Sequence, residues 1–216
     1  MRKIVLITAL ILLALCLLPS CGNDSYIYVL ASEDNQNDVM SYTCTYENSF
    51  DKKTRTLTFT QIGENGNPMG YGVATYDENG NRLTYTLKDG NRNTYLSQEF
   101  TYDEQGRETG AYTRMLGNPD CMEYKTWEEG VLVGGMLCYY DENGNITSTE
   151  IYKVQTVDDK SVISYYDTEG ALISSSGYKE TYDKHGNLLT YVSYTDGSFT
   201  EEASRVSYTY KRISIS

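Results

Sequence analysis

The chain offers one histidine for chemistry, His185, inside the phrase "YDKHGN" that begins at Tyr182. A general base or metal ligand needs partners held at fixed distances, and the spacing around His185 supplies none, so a solvated loop position is expected. Asp77, Asn79 and Asn81 present alternating oxygens like a calcium loop. However, glycine comes at the fourth position instead of the sixth, and no glutamate stands at the twelfth. Glu128 and Glu129 could do acid-base work in a hydrolase, yet they adjoin Gly130 in a turn, where water would surround them. There is no phosphate-cradling glycine loop, zinc spacing or nucleophile elbow. The reading is a non-enzymatic chain with no catalytic residue, no metal and no cofactor.

One cysteine has a chemistry of its own. Arg2 and Lys3 precede an apolar run from Ile4 to Leu18, which ends in Leu18-Pro19-Ser20-Cys21. The run is shorter than the roughly 20 residues a membrane span requires. This start resembles a bacterial lipoprotein signal read by signal peptidase II. The resemblance implies cleavage before Cys21, a diacylglycerol thioether on its sulfur, and a chain anchored to the outer face of a bacterial membrane, since two acyl chains hold stably. The alternative is an ordinary secretory signal with Cys21 incidental; either one exports the chain. The reading divides the sequence into signal peptide (1–20), polar tether (21–40) and a β domain (41–216), with Tyr26 to Leu30 able to add an edge strand.

Cys44, Cys121 and Cys138 remain. If Glu129 and Gly130 form a two-residue turn, Cys121 and Cys138 fall opposite each other as a non-hydrogen-bonded pair. Their α-carbons would lie about 4.5 Å apart, at the short end of the disulfide range. A three-residue loop would put Leu137 opposite Cys121 instead, so both arrangements stay open. Cys44 reads as a small buried apolar residue.

The elements that must position these groups announce themselves through their turns. "YDENGN" occurs at Tyr76 and again at Tyr140, with "YDEQGR" at Tyr102, "YDTEGA" at Tyr166 and "YDKHGN" at Tyr182. Asp suits the first position of a type I turn, and glycine takes the left-handed position that follows the two central residues. Asp77 to Gly80, Asp103 to Gly106, Asp141 to Gly144, Asp167 to Gly170 and Asp183 to Gly186 are therefore expected hairpin turns. "KDGN" at Lys88, "EEGV" at Glu128 and "TDGS" at Thr195 read as tighter ones. Between them, period-two runs such as "TRTLTFTQI" argue strands. "RLTYTL" would put Leu83, Tyr85 and Leu87 on one face.

Phe100 to Arg107, together with the weaker copies at Tyr76, Tyr140, Tyr166 and Tyr182, resembles the YD-repeat family, whose longer members include Rhs-type proteins. The resemblance spans about Tyr71 to Gly197 and implies antiparallel repeats exposed outside the cell. Five copies are too few to close a shell. The expected fold is all-β: an antiparallel meander of about ten to twelve short strands forming an open, twisted or curved sheet.

The formal charge is −12, moving to about −14 once Arg2 and Lys3 are removed, which argues against nucleic acid and against protein-mediated attraction to anionic lipid. Twenty-two tyrosines suit half-buried sheet faces. They also allow an exposed stacking face, with Tyr139, Tyr140, Tyr165 and Tyr166 as candidates, because adjacent residues point to opposite sides and one of each pair must face out. The functional expectation is a lipid-anchored interaction or cell-envelope module with the membrane and a protein or glycan as partners. The alternative is a glycan-binding or hydrolase-accessory lipoprotein. The sequence sets no oligomeric state.

Overall fold

The computed structural model of the protein describes residues 26–37, 41–157, 160–194, 199 and 202–214. The signal peptide, Cys21 and the turn at Thr195 to Ser198 lie outside the described residues. The strands are β1 (Tyr26–Asn37), β2 (Tyr42–Asp51), β3 (Thr56–Gly63), β4 (Pro68–Tyr76), β5 (Arg82–Asp89), β6 (Thr94–Tyr102) and β7 (Glu108–Met115). They continue as β8 (Asp120–Glu128), β9 (Val131–Tyr140), β10 (Ile146–Val157), β11 (Lys160–Tyr166), β12 (Leu172–Tyr182), β13 (Leu188–Tyr194) and β14 (Glu202–Ser214).

Each strand pairs antiparallel with its neighbours in sequence, and β14 pairs with β1, so the meander closes into a fourteen-stranded barrel. All-β and antiparallel are right; the open sheet is wrong. The physical reason lies in the segment read as a tether. Tyr26 to Asn37 forms β1, which pairs with β14 along its length and with β2 through Ser32 to Asn35. Without it, β2 and β14 would each leave a row of unpaired backbone groups; β1 covers β14 along its length and β2 from Tyr42 to Thr45.

This seam is built unusually. The register of β1 against β14 skips Ala31, and before that bulge β1 has no ladder to β2. Instead, Asn48 Nδ2 donates to the Leu30 carbonyl at 2.8 Å. Ile27 and Val29 pack with Leu57, Phe59, Ala74 and Tyr76, while Leu30 on the other face packs with Leu188, Tyr191, Val206 and Tyr208. The first half of β1 is thus apolar-covered on both sides, as a central buried strand is.

The repeated phrase is a turn, as its residues dictate. In each copy the glycine N–H donates to the Asp carbonyl, at 3.3 Å for Gly80 and 3.0 Å for Gly106, and the glycines take φ near the left-handed region, 86° at Gly80. Gly144, Gly170 and Gly186 repeat it opposite Asp141, Asp167 and Asp183. The Asp side chain also accepts two backbone N–H groups, Asn79 at 2.9 Å and Asn81 at 2.8 Å in the first copy. This Asx cap explains the aspartate, and Asn81, Asn145 and Asn187 bond back to it through their side chains.

One turn and one strand face depart from the reading. "DGNRN" is the same five-residue device, in which Arg92 at φ 69°, not Gly90, holds the left-handed position and Asp89 caps Asn91 and Asn93. Every YD turn carries a register shift, so in β5 Arg82 faces inward and Leu83 is left outside, 42% exposed, apart from Tyr85 and Leu87.

Inside, aromatic rings fill the space. Phe59 stacks on Tyr85 at 5.9 Å and meets Tyr46 edge-on, Tyr152 lies against Tyr165 at 6.0 Å, and Tyr178 stacks on Tyr191. Two glycines make room for this packing. Phe59 crosses directly over its cross-strand partner Gly72, where a Cβ would lie 1.9 Å from the ring, and Tyr152 crosses over Gly135 to reach β8. Outside, threonine and serine rows dominate, with hydroxyl pairs such as Thr75 with Thr84 at 2.7 Å and Thr181 with Thr190 at 2.6 Å.

Candidate functional site

Two interior clusters hold much of the buried charge among the described residues. In the first, Lys125 Nζ lies 2.6 Å from Glu108 Oε1 and 3.9 Å from Glu123 Oε2, and the three side chains are largely buried. Tyr152 Oη donates to Glu123 Oε1 at 2.8 Å, a reach across β9 that Gly135 permits. Trp127 Nε1 donates to the Glu108 carbonyl at 2.8 Å. The Arg82 guanidinium sits 4.4 Å above the Phe100 ring and 4.8 Å above that of Tyr85. Burial pushes the Glu108 carboxyl up, with Lys125 opposing it. Burial alone would lower Lys125, but the carboxylates of Glu123 and Glu108 outweigh it and raise its pKa.

In the second cluster, Tyr42 and Tyr46 on β2 donate to the two oxygens of Glu33 on β1, at 2.6 and 2.9 Å. Burial, then Glu33 itself, holds both phenols far above the usual tyrosine value. Cys44 lies between them, buried as expected, and Gln61 Nε2 donates to its sulfur at 3.1 Å. Burial raises the Cys44 thiol and pushes the Cys121 thiol up to about 12. Thiols and phenols so protected are donors and packing groups, not nucleophiles at neutral pH. Among the described residues no group of His, Cys, Asp and Glu is placed to hold a metal ion. A cavity of about 540 Å³, lined by Asp34, Tyr42, Thr43, Glu64 and Glu202 among others, contains none of Glu108, Glu123 and Lys125.

The proposed bridge fails on register. Glu129 and Gly130 do form the two-residue turn, both with positive φ, and Glu128 pairs with Val131. A bulge then skips Val133, so Cys121 faces Tyr139 and Cys138 faces Met122. The cysteines end on opposite faces of the wall, and both are free thiols.

The four candidate tyrosines divide as alternation requires. Tyr165 is buried inside, and Tyr139 points inward toward Glu150, its hydroxyl 3.5 Å from Oε2. Tyr140 and Tyr166 are on the outer wall. There the ladders bring Tyr124, Met136, Ile151 and Tyr166 into one row, with Tyr112, Met122 and Cys138 in the next. Tyr112 meets Tyr140 edge-on at 6.3 Å. Tyr124, Met136 and Ile151 are 44%, 37% and 39% exposed. Cations border the patch: Arg114 lies 4.6 Å over Tyr112 and Lys153 5.2 Å over Tyr166. Sequence reading named two of these residues and missed Tyr112, Tyr124, Met136 and Ile151, because only the inter-strand register aligns them.

His185 is exposed in its turn and stacks on Tyr28 at 5.1 Å. Glu128 and Glu129 are exposed in theirs.

No protein-family model matches the chain, and no curated protein does. Among solved structures it is similar to a porin-like protein from Bacteroides uniformis ATCC 8492, with 12% identity over 90% of this chain and 100% of that one, at a TM-score of 0.35.

Proposed function

We propose that the protein is an exported, lipid-anchored β-barrel that displays an aromatic patch to a partner and performs no catalysis itself. The observation that carries this reading is the contrast on the outer wall. A barrel that crosses a bilayer presents a lipid-facing apolar band about 25 Å tall, with aromatic girdles. Here the outward rows carry Thr45, Glu47 and Ser49 on β2, Ser97 and Glu99 on β6, and Lys179 and Thr181 on β12, with the exposed apolar side chains of mid-strand, Tyr124, Met136 and Ile151, gathered over β8 to β10. Such a wall suits water, and one rigid tyrosine-methionine face bordered by cations suits a docked protein or a stacked sugar ring. Anchoring through Cys21 is part of the same proposal and rests on the signal-like sequence.

The test is a binding screen of the exported chain against envelope glycans and envelope proteins, beside Tyr124→Asp/Met136→Asp. The proposal expects a ligand whose affinity falls at least tenfold in the double variant while circular dichroism is unchanged. A ligand bound equally by both proteins, or turnover in a parallel substrate panel, would contradict it. Glycan binding, if that is the ligand class, is expected to be competed by the free sugar; protein docking is not.

A further inference from the structure

The barrel's acidic total hides a segregated rim. β1 begins at one end of the barrel, and antiparallel order places the β2–β3, β4–β5, β6–β7, β8–β9 and β12–β13 turns at that same end, with the last residues of β14. Exposed Lys52 and Lys53 lie in the β2–β3 turn, Lys184 and His185 in the β12–β13 turn, and Lys211 and Arg212 near the end of β14. These come from distant parts of the sequence, yet contacts join them around β1. Lys52 Nζ donates to Ser214 Oγ at 3.5 Å, Tyr28 pairs with Arg212 and Val29 with Lys211, and the His185 ring stacks on Tyr28. The same turns hold two acids, Asp51, which accepts the Lys53 N–H at 2.8 Å, and Asp183, which accepts His185 N, Asn187 N and Asn187 Nδ2; they keep their charge but are outnumbered by the five Lys and Arg side chains of the arc. Across the same rim the charge reverses, with Asp77, Glu78, Glu104, Glu128 and Glu129 in the β4–β5, β6–β7 and β8–β9 turns.

We infer that this basic arc is a docking surface for an anionic lipid membrane. Two observations select that partner. One is charge: clustered Lys and Arg next to an anchor point attract anionic headgroups within a Debye length. The other is position: Cys21 stands five positions before Tyr26, a reach of about 17 Å at full extension, so a lipid there holds the barrel by the end that carries the arc. The acidic arc tilts that side away, which directs the opposite end and the aromatic wall into solvent. On this proposal the rim attracts such lipids locally, although the net charge of the whole chain opposes it. The inference rests on the export reading for its choice of partner, but the arc's attraction is independent of the lipid.

The experiment uses the exported chain from residue 21 onward, with Cys21→Ser so that no lipid is attached. It is mixed with vesicles of phosphatidylcholine alone or with 30% phosphatidylglycerol added, roughly the charge of an anionic leaflet. Binding is expected only to the anionic vesicles, with a partition coefficient that falls tenfold or more on Lys52→Gln/Lys53→Gln/Lys184→Gln/Lys211→Gln and is abolished by about 0.5 M salt. A triple variant elsewhere, Lys88→Gln/Lys153→Gln/Lys179→Gln, is expected to bind almost as the parent does. Equal binding to both vesicle types, an equal loss in the triple variant, or binding to a soluble polyanion but not to vesicles would overturn the inference. Fatty-acid labelling of the full chain beside Cys21→Ala reports the anchor separately, so either idea can fail alone.

Discussion

Replacing Lys125 with methionine is expected to destabilise the barrel by about 3–5 kcal/mol at pH 7.5, the usual loss when one partner of a buried ion pair is removed. The side chains of Lys125, Glu108 and Glu123 are 9%, 15% and 22% exposed, so water cannot replace the ammonium. Without it the two carboxylates face each other with Arg82 as the remaining cation nearby, and the Glu108 carboxyl, already pushed up by burial, loses the lysine that opposes the rise. A carboxyl whose folded pKa lies above its unfolded value, about 4.3 for glutamate, contributes stability below that value and loses it as pH climbs through the folded pKa. The deficit of the variant is therefore largest at neutral pH and shrinks toward pH 4. In the parent the sign for Lys125 is the lysine one: its raised pKa contributes stability at neutral pH that is lost only under alkaline conditions. Urea titrations at pH 4.5 and 7.5 measure both numbers, and Lys125→Met/Glu108→Gln should recover part of the loss. A deficit that grows toward acid would mean the carboxylates are not confined with the lysine.

Gly135→Val is expected to cost about 3 kcal/mol or more, from overpacking and from a lost charge-assisted hydrogen bond. A Cβ at Gly135 would lie 2.1 Å from the Tyr124 carbonyl oxygen and 2.6 Å from the Tyr152 ring. Backbone cannot yield cheaply, and the ring can move only by giving up its bond to Glu123. The burial and the Glu123 charge that now raise the Tyr152 phenol pKa would both weaken. Thermal melting with near-ultraviolet circular dichroism reads the effect, and a valine variant as stable as the parent would remove the crossing of Tyr152 over β9 from the account.

What the sequence made legible was local chemistry. Asp at a turn's first position and Gly three positions later are bound to each other by covalent proximity, so the five YD turns could be placed without knowing anything about their neighbours. The missed features depend on partners far away in the chain. "SEDNQN" reads as solvated because Glu33, Asp34 and Asn35 are polar. In the barrel, however, Glu33 is satisfied by the phenols of Tyr42 and Tyr46, Asp34 accepts from Thr43, and the backbone is held by β14, more than 160 residues away. Misjudging that one strand turned a closed barrel into an open sheet. Val133 is comparable on a smaller scale: one bulged residue moved Cys138 to the outer face, and a count from the turn cannot foresee it. Arg92 in a left-handed turn position shows the limit of reading turns by glycine alone; there the Asp89 cap carries the geometry.

Closure of β1 against β14 is tested most directly by a disulfide that only a barrel allows. Ser32 and Thr209 face outward on the closing ladder, their hydroxyl oxygens 2.7 Å apart, although 177 positions separate them. In Ser32→Cys/Thr209→Cys, mass spectrometry of the non-reduced monomer should find the two cysteines joined within one chain in nearly all molecules, with native circular dichroism. Free thiols at both positions, or bridges only between chains, would show that the first and last strands lie at opposite edges of an open sheet.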